Sequence, residues 1–104
     1  MATSTKILFD LGLHIGATPG ALALLEEHGV NPATLLHRHA TGDWGELDAH
    51  DRKANADALK IGARILSSYT LSKGDRDSRV WIITEAVTEG GRRYGTTLLR
   101  PDEY

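Results

Sequence analysis

The residues best able to do chemistry crowd one stretch, HATGDWGELDAHD, residues 39–51. His39 opens it, His37 stands two positions earlier, and Asp43, Trp44, Asp48, His50 and Asp51 follow. Three chemistries are open to such a set. The first is metal binding, in which His37, His39 and Asp43 would offer mixed nitrogen and oxygen ligands. The spacing opposes it. On a helix, residues i and i+2 point about 200° apart, and the set follows no known ligand spacing. No metal and no other cofactor is therefore expected. The second is acid–base work on RNA. His39, Asp43, Arg64 and the Tyr69 hydroxyl would supply a base, an acid and a cation for phosphate. The third is recognition. Trp44, partly exposed between two glycines, would anchor a partner, since large aromatics dominate interfaces. Asp43 beside it and Arg76, Arg79, Arg92 and Arg93 on two later loops would complete that surface. Against all three stands a structural reading. His39 would close a helix, Gly42 and Gly45 would turn the chain, Asp43 would bond the backbone two residues on, and Trp44 would cover the core.

The whole chain narrows these choices. Its 104 residues suffice for one domain, residues 1–104, and for a core that needs no metal or disulfide. Hydrophobic residues make up 40% and charged residues 25%, as in ordinary globular proteins. The formal net charge of −2 supplies no phosphate-binding face, which disfavours nucleic acid as main partner. The absence of cysteine excludes disulfides, a thiol nucleophile and thiolate-held metals. With no apolar leader and no membrane-length apolar run, a cytoplasmic protein without a membrane partner is expected.

The elements that must position these residues follow from periodicity. In KILFDLGLHI, residues 6–15, Ile7, Phe9, Leu11, Leu13 and Ile15 alternate, which predicts a strand. Three helices follow, each with its start signal: Thr18 before Pro19, Asn31 before Pro32, and Asp48 with Asp51 in the first turn. Leu22 and Leu25 would face the core from the first, Leu35 and Leu36 from the second. The period then changes to two. Ile65, Ser67 and Tyr69 alternate, as do Val80, Ile82 and Thr84 against Trp81, Ile83 and Glu85. Glu85, sharing a face with apolar residues, would need Arg64 or Arg79 as a partner. KGDRDS and TEGGRRYG read as hairpin loops, and TTLLRP as a last short strand able to pair across a dimer. The expected fold is α+β, a single β-α-α-α-β-β-β domain with helices packed on an antiparallel sheet.

The runs ATPGALALLEEHG, RHATGDWGELDAHDRKAN, GARILSSYTL, VWIITEA and TTLLRPDEY, in this order, resemble a family of small plasmid-related bacterial proteins. That family is carried on chromosomes, plasmids and other mobile elements. Some members are labelled as subunits of type I restriction–modification systems. The resemblance runs from about Leu11 to Tyr104, and His39 falls where the family pattern has its histidine. It does not extend to methyltransferase chemistry, because the chain has neither a Gly-rich cofactor loop nor an Asn-Pro-Pro-aromatic motif. The resemblance implies a non-enzymatic interaction protein of mobile-element type. Its partner would be a protein, for instance a host restriction or CRISPR complex that it inhibits. The alternatives are a small RNase-like toxin and a small-ligand or metal-binding module.

Overall fold

A computed structural model describes residues 6–104; residues 1–5, part of the single-domain expectation, lie outside them. The fold is α+β and runs β-α-α-α-β-β-β: β1 (His14–Ala17), α1 (Pro19–Glu27), α2 (Pro32–Ala40), α3 (Ala49–Ile61), β2 (Ile65–Thr70), β3 (Arg79–Thr84) and β4 (Gly95–Leu99). Short 3₁₀ turns at Arg76–Ser78 and Pro101–Glu103 flank β3 and follow β4.

Side-chain oxygens start the helices where expected. Thr18 accepts from the Ala21 amide, Asn31 from Ala33 and Asp48 from Asp51. Each satisfies an amide that has no partner inside its helix. Gly62 ends α3 in the left-handed conformation.

The sheet order is β1-β4-β3-β2. β2, β3 and β4 are antiparallel neighbours, but β1 joins β4 in parallel, so the sheet is mixed. β4 therefore lies inside the sheet, and TTLLRP has no free edge with which to pair across a dimer. The helices cover one face. Ile65, Ser67, Tyr69, Val80, Ile82, Thr84, Thr96 and Leu98 point into it and are buried. Leu24 and Leu25 of α1 and Leu35 of α2 close the main core, while Leu22 is half exposed.

The first expected strand shrinks to its end. Asp10 accepts a hydrogen bond from the Gly12 amide (3.0 Å) and turns the chain. Before that turn the segment crosses toward α2, where the Leu8 amide donates to the Ala40 carbonyl. Phe9 plugs a second cluster with Trp44, Ala58 and Ile65, and Leu11 packs half-buried against it. Ile7, Leu13 and Ile15, its expected companions on a buried face, are each more than half exposed.

The two sheet edges are treated differently. Along β2 the Leu66 backbone bonds to both ends of the Asn55 side-chain amide (2.7 and 3.1 Å). Ser68 exchanges hydrogen bonds with Trp44 and Glu46, and the Thr70 amide donates to the Glu46 carboxylate. Among the described residues nothing comparable covers β1.

Candidate functional site

His39 is the most deeply committed of the candidate residues. It sits on α2 with no exposed surface. One ring nitrogen, Nδ1, meets the Ser67 hydroxyl, and Nε2 lies 2.8 Å from Thr84 Oγ1. The line continues from Thr84 to Thr96 (2.7 Å) and ends where Thr96 donates to the Leu11 carbonyl (2.6 Å). That terminal carbonyl sets the direction of every bond. Thr96 donates to it, so Thr84 donates to Thr96, Nε2–H donates to Thr84, and Nδ1 accepts from Ser67. The ring is thus fully used as a neutral imidazole. Burial, reinforced by the nearby Arg93 charge, holds its pKa down at about 3. A ring so enclosed meets neither solvent carbonyls at the end of α2 nor an RNA phosphate. It pins α2 to the middle of the sheet.

The rest of the RNase set is scattered. Tyr69 is buried and donates to the Asp43 carbonyl (2.6 Å); burial first of all raises its hydroxyl to about 12. Asp43 is exposed and paired with Arg38 at 2.7 Å, and that hydrogen bond is the main reason its pKa falls. Arg38 in turn lies 4.5 Å over the Tyr69 ring. Arg64 is on the other face of the sheet, donating to the Tyr104 hydroxyl (2.8 Å). No cleft gathers His39, Asp43, Arg64 and Tyr69 together. The metal set fares the same way, since His37 is exposed and His39 enclosed. Three other groups from the same stretch, Asp48, His50 and Asp51, do come within 4.8 Å of one another on the surface. Asp48 is already occupied there as the cap of α3.

Trp44 is 9% exposed and packs with Phe9, Ala58 and Ile65. It offers a partner almost nothing to grip. The GDWG turn instead presses the chain against β2. A Cβ on Gly45 would lie 2.1 Å from the Ser68 carbonyl oxygen, and its φ of +74° suits glycine.

The four loop arginines form no common edge. Arg76 and Arg79 lie at the start of β3, Arg92 and Arg93 beyond its end, and the strand's six residues separate the pairs by roughly 17 Å. Arg92 bonds to Asp10 at 2.9 Å. Arg93 is 5% exposed and donates to the Ala63 and Glu85 carbonyls (2.7 and 3.0 Å), with the Phe9 ring 5.5 Å away. It is an internal brace, not a loop tip. Glu85 itself is exposed and pairs with neither Arg64 nor Arg79 among the described residues.

What sequence reasoning passed over is the sheet face opposite the three α-helices, where the C-terminal turn Pro101–Glu103 and Tyr104 pack against β3. Leu66, Trp81 and Ile83 line an open cleft of about 210 Å³ there, walled by Tyr104 and Arg64. The Trp81 and Tyr104 rings meet edge to face at 5.8 Å, and the Arg64 guanidinium stands 5.7 Å from the Tyr104 ring. No carboxylate among the described residues pairs with Arg64. The signal was present in the alternation that put Trp81 and Ile83 opposite the core-facing Val80 and Ile82. The chain matches no protein family, no curated protein and no solved structure. No described helix is long and apolar enough to cross a membrane.

Proposed function

We propose that this chain is a non-enzymatic interaction protein that binds another protein through the sheet face opposite its α-helices. The observation that carries the reading is the grouping of Trp81, Tyr104 and Arg64 around an apolar floor of Leu66 and Ile83. Trp, Tyr and Arg are the residue types that dominate protein interfaces when they surround a desolvated pocket. The cation without a carboxylate specifies the partner's chemistry: an apolar side chain for the cleft, flanked by an acidic group for Arg64. With a net charge of −2, a phosphate backbone is a poorer match than such a protein surface. The biological setting we propose is conflict between mobile DNA and host defence, with a restriction or CRISPR complex as the bound target. The support for that setting is the resemblance to plasmid-related proteins.

The test is affinity capture from a bacterial lysate, with and without nuclease, using wild type, Arg64→Glu and Arg92→Glu. One protein held in stoichiometric amount should survive nuclease, persist with Arg92→Glu and fall at least tenfold with Arg64→Glu. A partner lost with nuclease, or one indifferent to Arg64→Glu, would sink the reading.

A further inference from the structure

Gly16 lies in the middle of β1, and nothing among the described residues explains why it is glycine. Its φ is not positive. A Cβ built on it meets no atom of the described residues within 4 Å. Neither backbone strain nor internal packing demands a bare position, and glycine weakens a strand. The ladder runs through Gly16 without a bulge, and the remaining reason for a strand glycine is close approach of another backbone or a ligand. The neighbouring glycine of the same sheet behaves in the ordinary way: a Cβ on Gly95 would lie 2.3 Å from the His14 carbonyl oxygen.

The outer edge of β1 supplies the means of approach. The His14 amide donates to the Tyr94 carbonyl and the Thr18 amide to Leu98, so the parallel ladder uses residues 14, 16 and 18. The amides and carbonyls of Ile15 and Ala17 then face away from β4. The segment LHIGAT carries no charged residue and no proline, the usual guards of an exposed edge. Leu13 and Ile15 are 62% and 55% exposed, and Tyr94, 5.1 Å from the His14 ring, is 59% exposed.

We infer that β1 is the dimer interface of this protein, pairing antiparallel with β1 of a second copy about a two-fold axis at Ile15. In this register the Ile15 amides and carbonyls of the two copies bond reciprocally, and each Ala17 amide reaches the partner copy's Leu13 carbonyl. His14 of each copy then stands directly across from Gly16 of the other, in the close type of cross-strand pair. The bare glycine makes room for the imidazole and the Tyr94 ring beside it. The same fit occurs twice because the axis repeats it, and this favours a second copy over an unrelated strand. The result is one continuous eight-stranded sheet. Four strand residues and two apolar side chains per copy form a small contact, below about 1,200 Å², so the dimer is weak and concentration-dependent. The face bearing Trp81 and Arg64 stays open in this arrangement, so the inference does not depend on the proposed function.

The test is sedimentation of the full chain from micromolar to near-millimolar concentration. Wild type should shift from monomer to dimer across that range. Gly16→Val should remain monomeric at every concentration while melting at the same temperature or higher, since valine suits a strand and its Cβ meets nothing among the described residues. Ile15→Cys, the only thiol in the chain, should oxidise to a covalent dimer, because facing Cα atoms in a hydrogen-bonded pair lie about 5.5 Å apart, within disulfide reach. A control Lys60→Cys should not. A wild type that stays monomeric near millimolar concentration overturns the inference. So does a dimer that survives Gly16→Val, or one that Ile15→Cys fails to cross-link.

Discussion

A histidine among aspartates invites a catalytic reading, yet the surroundings of His39 decide otherwise. Both ring nitrogens are spent on Ser67 and Thr84, and the imidazole is neutral. Its value near 3 lies below the 6.5 of a free imidazole, so the unfolded chain binds a proton that the folded chain refuses. The stability it contributes is complete above about pH 6.5 and is lost as the pH falls toward 3. Between pH 7 and pH 5 this amounts to about 2 kcal/mol. The carboxylates of Asp10, Asp43, Glu46 and Glu103 are held low and titrate beneath that window. Urea unfolding at the two pH values should show the loss in wild type and its near absence in His39→Asn. At pH 7, His39→Ala should itself cost about 3 kcal/mol, through a cavity and two buried hydroxyls deprived of a partner. The sequence located His39 at the end of a helix. It did not reveal the ring's partners, which lie 28 and 45 residues away in the chain.

At the scale of elements, local signals were legible wherever local physics decides. Thr18, Asn31 and Asp48 cap their helices because each oxygen needs only an amide two or three residues ahead. The alternation in β2 and β3 was equally plain, since one face of those strands is buried under helices. Residues 6–13 misled because their period of two has no sheet behind it. The paired fates of Phe9 and Ile7 test this. Phe9→Ala should cost about 3–4 kcal/mol, and Ile7→Ala less than about 0.5 kcal/mol. Equal losses in chemical denaturation would restore a single buried strand face. Asn55 is the helix residue that pattern reading undervalues. It completes the β2 edge by bonding the Leu66 backbone, so Asn55→Ala should cost about 2 kcal/mol. Hydrogen exchange should show faster loss of the Leu66 amide than of the Ile82 amide in the same variant.

At the scale of the whole molecule, tertiary placement sorts charges that sequence treats as equals. Arg92 and Arg93 are adjacent, but one pairs with Asp10 at the surface and the other is buried under Phe9. Thermal unfolding should register Arg93→Ala as a loss of about 2–3 kcal/mol, from an abandoned packing site and two unpaired carbonyls. Arg92→Ala should cost under about 1 kcal/mol, as exposed ion pairs do. The same sorting moves the candidate interface. Trp44 turns inward because the turn at Gly45 lays it on the Phe9 cluster. Trp81 remains available because the three helices all pack on the opposite face. The sequence by itself determined the α+β class, the element order, the helix starts and the inward face of β2 and β3. Each of these rests on neighbours within a few residues or on a simple period. Only the tertiary structure decided that β1 runs parallel beside β4, that His39 and Arg93 are internal braces, and that among the described residues the outer edge of β1 has no neighbour and the Trp81 cleft lies on the face opposite the α-helices. Those outcomes depend on contacts between residues far apart in the chain, and no local pattern records which partner a side chain will meet.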